Sequence, residues 1–427
     1  MKFSLQHPRD QLVTIMQRIY GYGMTTTSGG NLSILDDSGD VWITPAGVDK
    51  GTLRPADIVC VTAGGAVQGL HRPSSEYPFH RAIYDRRPDV HAIVHAHPPA
   101  LVSFSITRRI PDTMILPQAH AVCGAVGYAP YALPGSARLG EVIAETFAGG
   151  LDVALLENHG VVTVGRDLLE AFQRFETLDF CARTIIQASI LGPVQPLSAA
   201  QIEMFESSRM TWPEFVPCSH SSRERELRQQ IVQVVHRAYD QHLMTSTEGT
   251  ASARVDERSF LITPFGVDRK YLEIEDLVLM RDGQREAGKS PSRATRLYAA
   301  IYRDHPEIGA IISAQSPNAT AYSVTRIKFD SRTIPESFIV LRDIPLIPYG
   351  QQLGDGAAIS AALSPATPVV LIQNDAILTT GATLMQAFDR LEVAEFSARA
   401  LIHTTALGPL VPIGDEALDD LEAHFLT

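Results

Sequence analysis

Cysteine is scarce in this chain: four in 427 residues, at Cys60, Cys123, Cys181 and Cys218, with no C-x-x-C pair among them. Zinc-ribbon and dithiol redox chemistry are thereby excluded, and buried thiols are the plain expectation. Basic runs are missing too. The formal net charge is −12, which argues against nucleic acid and against an anionic membrane surface as partners. A small anionic substrate would need a local positive site to overcome that field. No apolar run approaches the roughly 18 residues of a spanning helix. The opening MKFSLQHPRDQL carries Arg9 and Asp10 where a signal peptide needs an apolar centre, so the chain reads as cytoplasmic. Hydrophobic residues make up 45% and charged ones 20%, too ordinary a balance for disorder. At roughly 100 to 200 residues per domain the length calls for two or three domains.

What the chain does have is a histidine-rich stretch, VHAIVHAHPPA from Val90 to Ala100. In an extended strand residues i and i+2 share a face, so His95 and His97 can reach one point in space, as two ligands of a metal ion do. Pro98 and Pro99 stop the strand just beyond, which predicts a pair at an edge of the sheet and open to substrate. The same spacing also fits surface or hydrogen-bonded histidines. A third histidine stands in Asn158-His159-Gly160, directly after the apolar run VALLE. Strand ends are where α/β sheets place ligands, and three imidazoles there would make an open catalytic zinc-type site. A histidine satisfied within the core is the other reading of His159.

Pro73-Ser74-Ser75-Glu76 precedes a helical run. Ser before a helix is a capping signature, and Glu suits the helix dipole. The same physics makes an anion site, with a carboxylate able to act as ligand or base. Ser28-Gly29-Gly30-Asn31 and Thr44-Pro45-Ala46-Gly47 add loops rich in N–H groups and suited to phosphate. Neither loop is a G-x-G-x-x-G or Walker pattern, so nucleotide is not implied.

The chain also repeats itself. ITPAGVDK recurs as ITPFGVDRK, AIVHAHPPA as AIISAQSPN, APYALPG as IPYGQQLG, and ILGPVQP as ALGPLVP, at a shift that drifts only between 216 and 219 positions. Two copies of one domain follow, residues 1–216 and 217–427, with the boundary near CSHSSR. Each copy opens with a helix (Arg9 to Tyr20; Arg223 to Tyr239). In the first, short strands Val41 to Thr44 and Ile58 to Thr62, helices Glu76 to Arg86 and Ser136 to Phe147, a strand Val153 to Leu156 and a closing helix Asp167 to Leu191 are predicted. The class is α/β, with helices on both faces of a mixed sheet.

SGGN, ITPAG, PSSE, HAH, APY and NHG, in this order and approximate spacing, make the chain similar to the class II aldolase/adducin family over the whole first copy and, more faintly, the second. The resemblance implies two tandem three-layer αβα sandwich domains. It implies metal ligands at His95, His97 and His159, an acid/base carboxylate at Glu76, and phosphate contacts at Ser28, Gly30, Asn31, Thr44, Gly47, Ser74 and Ser75. The cofactor would be a divalent ion, Zn2+ first, with Mn2+, Co2+ or Fe2+ as alternatives. The activity would be reversible aldol cleavage of a sugar phosphate or related hydroxy-ketone through an enediolate, with epimerisation, dehydration and decarboxylation as variants. Epimerases of the family tend to carry Asp where this chain has Glu76, which counts against that variant. A non-catalytic scaffold, as in the adducin branch, is the competing class.

At the aligned positions the second copy holds Ser313 for His95, Gln315 for His97, Asp375 for His159 and Ala294 for Glu76. Ser and Gln are poor ligands for zinc-like ions, so this copy is expected to be a structural partner. Arg293 replaces Ser75 there and would suit an anion in its own right. The family's subunits form fourfold rings in which a tyrosine of the APY motif enters the neighbouring site as proton donor. That position is filled in both copies, by Tyr131 and Tyr349. A homodimer forming a pseudo-fourfold ring with alternating copies is expected, in which Tyr349 completes the live site and Tyr131 faces the vacant one; a packing role for the tyrosines is the alternative.

Overall fold

The computed structural model describes residues 3–426. It divides into two compact units: the residues up to Thr113 with Ala119–Ala182, and Met114–Gln118 with the residues from Arg183 on. The division by packing therefore assigns residues 183–216 to the second unit, whereas the sequence repeat places its boundary near 217.

The first unit is built on an eight-stranded sheet. Its strands are β1 (Asn31–Leu35), β2 (Val41–Ile43), β3 (Val59–Val61), β4 (Val67–Gln68), β5 (Ala92–Ala96), β6 (Val126–Ala129), β7 (Val153–Leu156) and β8 (Val161–Gly165). They lie in the order β4-β3-β2-β1-β5-β8-β7-β6. All neighbours are antiparallel except β6 and β7. One face is covered by helices Tyr77–Arg86 and Ala137–Ala148: Phe79, Ile83, Val142, Ile143 and Phe147 pack on Ile43, Ile93, Leu156 and Val164 in one buried cluster. Helix Pro8–Gly21 packs against β1 and β2 through Leu12, Ile15, Met16 and Ile19, all fully buried and at helical spacing.

The second unit repeats this plan. Its strands are β9 (Glu214–Phe215), β10 (Thr250–Arg254), β11 (Ser259–Ile262), β12 (Val278–Arg281), β13 (Gln284–Glu286), β14 (Ala310–Ala314), β15 (Leu346–Ile347), β16 (Val369–Ile372) and β17 (Ile377–Gly381). Their order, β15-β16-β17-β14-β10-β11-β12-β13-β9, is the first sheet's with one added edge strand. Registers correspond as well. Asn31 faces His95 across β1 and β5, and Thr250 faces Ser313 across β10 and β14. The α/β class with two tandem sandwiches and mixed sheets is what the chain adopts.

Predicted helices and strands match to within two residues at most ends. The position of the histidine strand does not match. β5 is the fifth of eight strands rather than a sheet edge, and His95 is fully buried. Strand order is set by long-range pairing, which the local pattern before Pro98 could not reveal. Among the described residues no helix is long and apolar enough to cross a membrane.

Candidate metal centre

His95 is the last residue but one of β5, which is buried along its whole length, and His97 follows once the strand has stopped. His159 lies in the turn between β7 and β8, entered through Asn158 at φ +53, a left-handed position that Asn tolerates better than most residues. One nitrogen from each of the three rings lies within 4.8 Å of the others. The Nε2 atoms of His95 and His97 are 3.1 Å apart. This closeness needs small neighbours. A Cβ on Gly160 would meet the His97 ring at 2.5 Å and the Ala96 carbonyl at 2.6 Å, so Gly160 makes room for the neighbouring strand and for the His97 ring. Gly30, at φ +73, likewise lies where a Cβ would meet the His95 carbonyl at 2.7 Å.

Glu76 completes the group. It occupies the N-cap position of helix Tyr77–Arg86 without capping it. Its side chain instead reaches the histidines, with Oε2 3.2 Å from His95 Nε2 and Oε1 3.5 Å from His159 Nε2. Burial pushes this carboxyl up, but His95, His159 and the Asn31 amide outweigh burial and hold it well below the usual carboxylate range. Burial, with His95 and His159 adding to it, pulls His97 down to about 3; burial and then His95 pull His159 to about 4. Both rings are thus neutral at pH 7, the form that ligates metals.

The donor set fits a cation. His95 Nδ1 is 2.9 Å from the Val161 carbonyl, which can only accept, so Nδ1 carries a proton and Nε2 is the nitrogen turned toward Glu76 and His97. Several acceptors then converge on one point, and Glu76 Oε1 is buried there without a hydrogen-bond donor. A divalent ion between them relieves both problems. Among the described residues no second group of this kind is found.

Behind Glu76 runs a buried chain that was not legible as a site. Asn31 Nδ2 donates to Glu76 Oε2 at 2.7 Å. Asn31 Oδ1 is bonded to His80 Nε2, His80 Nδ1 is 2.7 Å from Ser33 Oγ, and Ser33 Oγ is 2.6 Å from the Tyr84 hydroxyl. Because the Asn31 amide must turn its N–H to the carboxylate, His80 Nε2 donates to its oxygen and His80 Nδ1 accepts from Ser33. Every donor in the chain then points toward Glu76. The second copy keeps the serine–tyrosine pair, as Ser252 and Tyr302 at 3.0 Å, but has Tyr298 for His80. The signal in the sequence was a histidine four residues after Glu76 that changes together with Glu76 and Asn31. Replacing His80 with Phe leaves the buried Asn31 oxygen without a donor. Stability should fall by about 1–3 kcal/mol, read from the shift of the urea unfolding midpoint.

The residues expected at phosphate are placed unevenly. Ser28, Gly47 and Ser75 are exposed, whereas Gly30, Asn31, Thr44 and Ser74 are buried. The Thr44 hydroxyl accepts from Leu32 N at 3.1 Å and Ser74 Oγ from Glu76 N at 3.3 Å. A Pro45–Pro73 bridge and the Ser74 N–H to Thr44 carbonyl bond set the ITPAG loop beside the PSSE turn. Asn31 thus serves the carboxylate directly. Tyr131 is 60% exposed. The Tyr349 hydroxyl donates to the Gln201 carbonyl at 3.0 Å within the second unit.

In the second unit the equivalent centre is occupied by other bonds. Tyr298 donates to Ser313 Oγ at 2.7 Å, and Asp375 accepts from Gln118 and, at 3.5 Å, from Gln315.

The chain belongs to the class II aldolase and adducin family, whose N-terminal domain model matches residues 10–186 and again 229–402. Among its relatives, 5-deoxy-D-ribulose 1-phosphate aldolase of Bacillus thuringiensis serovar kurstaki is 32% identical over 205 residues, covering 47% of this chain and 93% of that one. A 3-oxo-tetronate 4-phosphate decarboxylase of Escherichia coli O6:H1 is 33% identical over 208 residues, covering 47% and 96%. L-fuculose phosphate aldolase of Methanocaldococcus jannaschii is 34% identical over 174 residues, covering 40% and 91%. A solved L-fuculose 1-phosphate aldolase is 30% identical, covers 47% of this chain and 94% of its own, and gives a TM-score of 0.42.

Proposed function

We propose that the first copy is a metal-dependent lyase that cleaves, reversibly, a carbon–carbon bond of a phosphorylated ketose or related hydroxy-ketone. The observation that carries this reading is the meeting of His95, His97 and His159 with the buried carboxylate of Glu76. His95, His97 and His159 would hold the ion, with Zn2+ the first choice for an all-imidazole set. A bound divalent ion supplies Lewis-acid polarisation of the substrate's carbonyl oxygen. Glu76, ionised and held in place by Asn31, takes the proton from the substrate hydroxyl and returns it to carbon. The exposed Ser28, Gly47 and Ser75 at the mouth of the site would engage the phosphate.

A specific observation favours a second reading on the same residues, since one relative named above is a 3-oxo-tetronate 4-phosphate decarboxylase. Both reactions leave electrons next to a polarised carbonyl, so Glu76 serves either. Incubation with phosphorylated ketoses and with 3-oxo-acid phosphates separates them: aldehyde release supports the lyase, release of carbon dioxide the decarboxylase. Neither product from the metal-loaded protein, with no proton exchange from heavy water, would return the scaffold reading to first place.

The hydroxyl that hydrogen-bonds the oxygen of the departing aldehyde, and that of the incoming one in the reverse direction, is proposed to come from a second copy of the chain, in the ring expected above. Tyr131 is exposed, and among the described residues its hydroxyl has no partner, whereas Tyr349 is tied to Gln201. That favours Tyr131 over Tyr349, against the alternating arrangement. At equal stability and assembly state, Tyr131→Phe should lower turnover about 10²-fold or more and Tyr349→Phe should leave it near wild type. The reverse result would restore Tyr349 and the alternating ring.

A further inference from the structure

The second unit holds a cavity of about 280 Å³ at its counterpart of the PSSE turn. Its walls are the PSRA turn around Ser292 and Arg293, Phe265 of the ITPFG loop, and the segment from Ser208 to Trp212. Four guanidinium groups border it: Arg209, Arg285, Arg293 and Arg296. In a chain of net charge −12, such a concentration of one sign needs a reason.

Only one of the four has an ion-pair partner among the described residues, Arg285 with Glu214 at 2.6 Å. Arg209 stacks over the Phe265 ring at 3.8 Å and Arg293 over Phe205 at 3.8 Å, both held in place by ring faces instead of carboxylates. Arg293 also donates to the Phe205 carbonyl and to Ser208 Oγ. Arg296 is exposed, in the first turn of helix Thr295–Asp304. That helix start has no side-chain cap and no acidic residue in its first turn, so its free N–H groups add to the positive field. Burial presses the Arg293 pKa down; Glu248 and Asp375 oppose this and Arg209 adds to it. The pull of Glu248 exceeds the push of Arg209, so burial rather than the neighbouring guanidinium keeps Arg293 below its ordinary range, and among the described residues Arg209 and Arg296 are the guanidiniums that stand without a carboxylate.

The comparison of copies sharpens the point. The backbone of the turn is the same in both, with Ser292 N donating to the Thr263 carbonyl as Ser74 N does to Thr44, and Ala294 N donating to Ser292 Oγ as Glu76 N does to Ser74. On that common frame Glu76 has given way to Ala294 and Ser75 to Arg293. At this turn a negative charge has been removed and a positive one added, while two acids of this copy, Glu248 and Asp375, stand on the Arg293 side.

We propose that this cavity binds the phosphate group of a small molecule, held by the Arg209, Arg293 and Arg296 guanidiniums at the start of helix Thr295–Asp304. Guanidinium forks match phosphate oxygens in pairs. The volume lies at the small end of ligand pockets, about 300–1,000 Å³, which suits a compact phosphate ester. The site requires no metal and is independent of the reaction proposed for the first copy.

The experiment is arginine modification by phenylglyoxal on the full chain, read peptide by peptide by mass spectrometry, with orthophosphate against chloride at matched ionic strength. Residue-level readout keeps any phosphate in the first copy from confusing the result. With phosphate at about ten times its dissociation constant, labelling of Arg209 and Arg296 should slow by about tenfold, while the exposed Arg258 and Arg138 keep their rates. Equal rates in phosphate and chloride, or equal slowing at all four, would overturn the proposal. As a second measurement, equilibrium dialysis should show one phosphate fewer per chain for Arg209→Gln/Arg296→Gln, both exposed positions; unchanged stoichiometry would count against the site.

Discussion

Replacing His97 with Ala should strip the chain of its divalent ion and abolish turnover while the fold stays intact, and replacing Gln315 with Ala should do neither. Loss of a partner that merely orients a ligand already weakens metal binding by about 10- to 100-fold, so loss of a ligand itself should exceed that. His97 is neutral at pH 7, half-buried, and faces the other two imidazoles. Among the described residues the Gln315 side chain donates to Asp375 at the long distance of 3.5 Å, and its oxygen has no hydrogen-bond partner. Metal content after dialysis, measured beside a circular dichroism spectrum, decides the matter. A His97→Ala protein that kept its metal at full affinity would sink the assignment.

Glu76→Gln should retain the metal, because three imidazoles remain, and yet lose proton exchange by about 10²- to 10⁴-fold. The variant keeps the shape that Asn31 and the helix start require, so a change in exchange reports the loss of a base rather than of a fold. Exchange of substrate protons with heavy water gives the rate. Complete loss of metal would recast Glu76 as chiefly a ligand, and unchanged exchange would deny it either part.

The residues that carry this chemistry were legible in different degrees. His95, His97 and His159 stood out because strand periodicity and a Gly-bearing turn are local features, and the meeting of the three rings needed only the pairing of β5 with β8. The duplication was equally plain. Asn31 was expected at phosphate because a Gly-rich loop preceded it. Its bond to Glu76 was not foreseen, because it follows from the β1–β5 register, and register is not written in one strand. His80 was missed because a lone histidine on a helix face has no signature of its own; only its bond to Asn31 gives it meaning. The edge reading of the histidine strand failed for the same reason, since Pro98 reports where a strand stops and not how many neighbours it has.

The shared strand order of the two sheets has a consequence for what the frame itself requires. In the first copy, converging lone pairs and the donorless Glu76 Oε1 are retained at a buried point, a local arrangement that opposes folding until a cation arrives. In the second, the same backbone frame carries a Tyr298–Ser313 bond and an Asp375 supplied with amide donors. The sheet therefore does not depend on the imidazoles for its architecture. The second centre has orphans of its own, since Gln118 Oε1 and Gln315 Oε1 are buried without a partner, so the two copies differ in what the shared frame carries, imidazoles and a carboxylate in one and amides around an acid in the other, rather than in whether it is strained.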